Sequence, residues 1–272
     1  MDKIRENMHK KPKRICFNST HSRACKKISI EGNSAVGCIN LPFDESIKFF
    51  IEKETGLRVK KTYNGEFWCP ANSEEEYQNL EQFVKKYKQT VFLRDTLDIS
   101  VAISEYMFND SERTEIGELE YKAKYENCQT SINQISDEVV NLIRKASVFE
   151  DAQLICAIPS SKEGELSLPQ KIVQKICNEI SKKNISECVK WGNPKSELKE
   201  LDVSKKLETL EAADLVVKHI EEIKGKNIII VDDLYQSGMT MQYVAMKLKE
   251  RGANKIYGIS IVKSRKDTDN ND

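Results

Sequence analysis

The stretch NIIIVDDLYQSGMTMQYVAMKLKERGANKIYGISIV, residues 227–262, decides the fold. It opens on a run of strand formers, ends that run in two adjacent aspartates, Asp232 and Asp233, and crosses a small polar loop into a helical pattern. Neighbouring carboxylates repel and raise each other's pKa, so a purely structural chain gains little by placing them where a buried strand ends. After the loop, Met241, Val244, Ala245 and Leu248 fall on one helical face, and Gly252 supplies a stop. "KIYGISIV" then reads as the next strand.

Upstream, the same alternation continues. "ISVAISEYMF" and "AQLICAIP" read as strands, "SINQISDEVVNLIRKA" and "SLPQKIVQKICNEISKK" as helices, and "ISECVKW" as a short strand. "SKKLETLEAADLVVKHIEEIK" reads as one long helix. Alternating strands and helices specify an α/β fold with a parallel twisted sheet flanked by helices, here over residues 97–264. Residues 28–92 form a separate small α+β module in the order β-α-β-β-α. Its marks are an Asn-Gly hairpin signal in "LRVKKTYNGEFWCP" and a capping box from Ser73 to Glu76. Residues 1–27 read as a basic flexible tail, with Lys3, Arg5, Lys10, Lys11, Lys13 and Arg14 against Asp2 and Glu6, and residues 265–272 as a polar tail.

Across 272 residues, 43 Lys and Arg balance 43 Asp and Glu, so no global charge argues for nucleic acid or membrane as partner. No apolar run approaches the length of a membrane span, and no hydrophobic leader opens the sequence. The expectation is a cytoplasmic protein whose eight cysteines are reduced. Without a C-x-x-C pair they read first as buried thiols, with Cys16, His21, Cys25 and Cys38 as the alternative, a zinc set.

Three designs place two acids at a strand end. A Walker B element needs a phosphate loop elsewhere, and "GNSAVGCI" at residues 32–39 has Cys38 and Ile39 where Lys and Ser or Thr belong. A receiver domain needs far more chain after Asp233 than is present. The third design fits: "VDDLYQSGMTM" resembles the phosphoribosyl pyrophosphate (PRPP) motif of type I phosphoribosyltransferases.

The resemblance implies that Asp232 and Asp233 hold the ribose hydroxyls and favour positive charge developing on the sugar. Tyr235, Gln236, Ser237, Gly238, Met239 and Thr240 would hold the 5′-phosphate at a helix N-terminus. Ser160, Ser161 and Lys162 of "CAIPSSKEG" stand where the family has its pyrophosphate loop, and Lys190 and Lys195 lie in the position of its mobile loop. "GELEYKAKYEN" resembles a segment of the ComF-like branch, which would bring Lys124 and Tyr125 to the cleft. Departures from that branch are plain: no zinc ribbon precedes the domain, lysines replace loop arginines, and Tyr235 and Gln236 are larger than usual.

Such a protein would bind PRPP with Mg²⁺, the metal meeting Asp232 and Asp233 indirectly, and transfer the phosphoribosyl group to a nitrogenous base. The alternative is a PRPP or nucleotide sensor without turnover. The small module is similar, through "FWCP" and its hairpin, to accessory modules of HARP-type helicases. That implies a nucleic-acid or protein partner met through Arg58, Lys60, Lys61 and Tyr63, in a competence, repair or phage-defence setting. The fold commonly forms homodimers.

Overall fold

The computed structural model describes residues 1–18, 25–27, 35–161, 165–196, 198 and 201–265. The strands are β1 (Arg14–Cys16), β2 (Lys26–Lys27), β3 (Gly37–Leu41), β4 (Lys60–Lys61), β5 (Phe67–Ala71), β6 (Val91–Leu93) and β7 (Ile99–Glu105). They continue with β8 (Leu154–Ala157), β9 (Lys183–Asn184), β10 (Val189–Trp191), β11 (Leu215–Val217), β12 (Ile228–Tyr235) and β13 (Ile256–Lys263). The helices are α1 (Asp2–Met8), α2 (Ile47–Thr55), α3 (Glu74–Lys86), α4 (Glu115–Tyr125) and α5 (Gln129–Lys145). After them come α6 (Leu168–Ile176), α7 (Val203–Ala213), α8 (Ile220–Ile223) and α9 (Met239–Glu250).

The main sheet runs β1-β6-β7-β13-β12-β8-β9. Its five strands from β7 to β9 are parallel, and β6 and β1 extend one edge antiparallel. Ile228 to Val231 and all of β13 are buried, the continuous apolar run expected of strands covered on both faces. Helices α4, α5 and α6 pack on one face, while α9 covers the other and carries α7 and α1. The expected inward residues of α9, Met241, Val244, Ala245 and Leu248, are buried, and Gly252 takes a positive φ of 89° beyond its end. The expected α/β class with a parallel sheet flanked by helices is what folds.

The small module has its own sheet, β2-β3-β5-β4, with the expected hairpin between β4 and β5 and Gly65 at a φ of 84°. Ser73 caps α3 by accepting from the Glu76 N–H; the return bond from Glu76 goes to the Asn72 N–H instead. Part of the expected first strand, and His21 of the zinc alternative, fall outside the described residues. Among those described, no three potential ligands gather around a common point; Cys16 and Cys38 are buried thiols and Cys25 a half-buried one. No helix among them is long and apolar enough to cross a membrane.

Two expectations are corrected. Residues 1–18 are not a tail: α1 buries Ile4 and Met8 against α7 and α9, and β1 pairs with β6 at the sheet edge. Two of its cations are tied down, Lys13 by the Asn7 carbonyl and Arg14 by Glu105 and the Ser264 carbonyl. Ile4 and Met8 share an i, i+4 face, a short apolar signal masked by the surrounding charge. The long helix over residues 204–224 is also broken. Asp214 (φ 45°) and His219 (φ 52°) adopt left-handed backbone, and the Leu-Val-Val run between them pairs as β11 with β10. The resulting ribbon stands apart from the main sheet.

Candidate functional site

The carboxyl end of β12 delivers Asp232 and Asp233 to an open cavity of about 770 Å³. Lys124 of α4, Ser160 and Ser161 beyond β8, Lys195 beyond β10, and Gln236 and Thr240 from the loop into α9 line it with them. This is where ligands sit in an open parallel sheet, past the strand ends. Four separate stretches of chain are thus brought to one place.

The acidic pair is held from within. Asp232 Oδ1 accepts from the Asp233 N–H at 3.0 Å, and Asp233 Oδ1 from the Leu234 N–H at 2.7 Å. Lys124 Nζ lies 2.8 Å from the other Asp233 oxygen, Oδ2. Desolvation, followed by repulsion from Asp233, pushes the Asp232 carboxyl above the ordinary range. At Lys124, burial pulls the ammonium pKa down, but the Asp233 carboxylate outweighs it and the net shift is upward.

Beneath Lys124, one turn earlier on α4, sits a residue that the motifs did not single out. Glu120 is 2 % exposed, and burial lifts its carboxyl to about 7 against the pull of Lys124, with Asp233 adding to the rise. Its i, i+4 spacing to Lys124 was the available signal.

Glu120 and Asp232 bind their protons more tightly in the folded chain than in the unfolded one. The folded state therefore holds more protons between the ordinary carboxylate range and neutrality, and its stability falls as pH rises through that window. Melting temperatures taken from about pH 5 to about pH 8 should decline, and Glu120→Gln should flatten that decline.

The phosphate-loop residues divide. Gln236 and Thr240 face the cavity, and Ser237 Oγ accepts from the Met239 N–H at 3.4 Å. Tyr235 and Met239 are buried, so they bring backbone rather than side chain to the loop. The Tyr235 hydroxyl donates to buried Asp95 at 3.0 Å and anchors the loop from below. Gln242 assists by donating to the Gly238 carbonyl and accepting from the Thr96 N–H.

Gly238 has a φ of 74°, and a Cβ there would lie 2.1 Å from the Tyr235 ring. Only glycine fits without moving that ring. Gly238→Ala should cost about 2 kcal/mol, measured by urea unfolding, because it combines backbone strain with overpacking.

The remaining predicted residues also divide. Ser160 and Ser161 line the cavity, whereas Lys162 lies outside the described residues. Lys195 reaches the cavity, its ammonium 5.5 Å from the centre of the Trp191 ring. Trp191 in turn donates to the Pro159 carbonyl at 3.1 Å, tying β10 to the serine loop. Lys190 instead lines a neighbouring cavity of about 1240 Å³, which shares Ser160 and Ser161 with the first. Tyr125 stands at the end of α4, 66 % exposed and outside the cavity lining, with its ring 5.9 Å from Lys124 Nζ.

Mg²⁺ prefers oxygen ligands in an octahedral shell and keeps several waters. The two carboxylates suit it only as contributors to a shell completed by ligand oxygens, since no three-ligand group exists among the described residues.

The family model for the phosphoribosyl transferase domain matches residues 169–272. A comparison with curated proteins gives no match. Among solved structures, the chain is similar to UMP synthase of Leishmania donovani at 18 % identity and a TM-score of 0.31, covering 53 % of this chain and 24 % of that one. It is also similar to a hypoxanthine phosphoribosyl transferase of Trypanosoma cruzi at 13 % identity and a TM-score of 0.32, covering 50 % of this chain and 64 % of that one. The chain thus spans less than two thirds of either relative. A phosphoribosyl transferase domain is present in this chain, and its matched residues take in the acidic pair, the loop into α9 and Lys195.

Proposed function

We propose that the protein binds PRPP with Mg²⁺ and transfers its 5-phosphoribosyl group to a nitrogen nucleophile. One observation carries this reading: the acidic pair, a polar loop at a helix N-terminus and a serine loop converge on one cavity at the strand ends. In that pose Asp232 and Asp233 accept hydrogen bonds from the ribose hydroxyls. The backbone N–H groups that open α9, with Ser237 and Thr240, take the 5′-phosphate. Ser160, Ser161 and Lys195 face the pyrophosphate, and Lys162 of the same loop is proposed to join them. When bound, magnesium screens the pyrophosphate and stabilises it as a leaving group. The nitrogen attacks the anomeric carbon, the bond to pyrophosphate breaks, and the proton on nitrogen passes to a carboxylate or to water.

A second reading keeps the site without turnover, as a PRPP or nucleotide sensor. The cations at 190 and 195 are lysines, which hold phosphate as point charges without the bidentate fork of arginine. Lys60 and Tyr63 of the hairpin are exposed, which supports a nucleic-acid contact through the small module as an accessory to either reading. Kinship to the ComF-like branch belongs to the same proposal.

Calorimetric titration of the full chain with PRPP and Mg²⁺ tests the shared step, and absence of binding by the folded protein would overturn both readings. Pyrophosphate release with a panel of nucleobases then separates enzyme from sensor.

A further inference from the structure

Lys124 poses a difficulty for any ligand that needs Asp233, because its ammonium already occupies the Oδ2 oxygen at 2.8 Å. The lysine has a second carboxylate within reach. Glu120 Oε1 lies 3.7 Å from the same Nζ, one helical turn back, just beyond hydrogen-bond distance, and no other group comes closer to hydrogen-bond it. At 2 % exposure Glu120 has no access to water to make up the deficit. The charged groups acting on it are Lys124 on its own helix, Asp233 from β12 and Arg113 from the segment before α4.

A cation with one carboxylate bound and a second in reserve is a two-position element. Glutamate four residues before lysine is also the favourable order for a helical ion pair.

We propose that Glu120 is a positioning residue that receives Lys124 when a ligand's hydroxyl takes Asp233. This rests on the PRPP-binding reading above and adds a residue outside the phosphoribosyltransferase motif. The exchange leaves the charge count unchanged. Asp233 trades an ammonium for a hydroxyl donor, and the 3.7 Å contact of the buried Glu120 oxygen with Lys124 shortens to a hydrogen bond. Part of the cost of freeing Asp233 is thereby recovered within α4.

The test is a double-mutant cycle read by calorimetry with PRPP and Mg²⁺, using wild type, Glu120→Gln, Lys124→Ala and the double variant. Glu120→Gln should weaken binding on the order of tenfold, the loss of one charge-assisted hydrogen bond. The same replacement should change nothing where Lys124 is already alanine. An equal loss in both backgrounds, or no loss in either, would overturn the assignment. Ligand-free melting of each variant separates this from a general weakening of the fold. In wild type, the Glu120 side-chain carboxyl ¹³C resonance should move on adding PRPP, and a resonance that stays fixed in a protein that binds would also overturn it. Should wild type bind no PRPP, the parent reading falls and this one with it; binding with an additive cycle removes Glu120 alone.

Discussion

Replacing Asp232 and Asp233 together by asparagine is expected to weaken PRPP binding by at least about a hundredfold. Each carboxylate would accept a ribose hydroxyl, and a hydrogen bond to a charged group contributes roughly 1.5–3 kcal/mol. Two of them span two decades or more in affinity. The fold should survive the change. Asp232 is already disfavoured as an anion by burial and by its neighbour, so asparagine relieves a cost there. Lys124 loses its 2.8 Å partner but keeps Glu120 one turn away. Calorimetric titration beside a melting curve checks both halves. Unchanged affinity in a folded double variant would move the ligand off the acidic pair and leave the strand-end carboxylates without their proposed role.

The second large effect concerns the fold. Phe50 of α2 is fully buried, with its ring 5.2 Å from Tyr87, 5.1 Å from Phe92 and 5.8 Å from Phe149. Phe92 belongs to β6 of the main sheet, and Phe149 reaches Tyr257 of β13 at 5.9 Å. One aromatic cluster therefore joins the small module to the centre of the large domain. Phe50→Ala leaves a cavity in it and should cost about 3–5 kcal/mol. For a chain of this size that lowers the melting temperature by roughly 10 °C. Scanning calorimetry should show one transition for wild type and one, shifted, for the variant. Two separate transitions would instead place a boundary near residues 92–97 and mark the module as an independent folding unit.

Much of the site was legible in the chain because its signals are local. An apolar run ending in Asp232–Asp233, a Ser-Gly-Met-Thr loop and a helical stripe lie within a few residues of one another. Each follows from backbone preference and periodicity alone. Lys124, Ser160, Ser161 and Lys195 were readable only through resemblance, since a lysine or serine in a loop carries no local mark of function. The inward turn of Tyr235 and Met239 was not readable, because sequence position in a loop does not say which way a side chain points. Packing under Gly238 turned Tyr235 inward to Asp95.

By itself the sequence determined the parallel sheet, its covering helices and the chemistry placed at the end of β12. Those depend on period, capping and residue type, which are properties of contiguous stretches. Tertiary structure alone decided that the first eighteen residues join the fold and that residues 215–217 leave a helical pattern to pair with β10. It also set Glu120 behind Lys124 as a buried carboxylate with an oxygen just beyond hydrogen-bond distance of it. The reason is common to all three: each outcome depends on a contact between segments distant in sequence or on burial created by the assembled whole. Local propensity has no term for either.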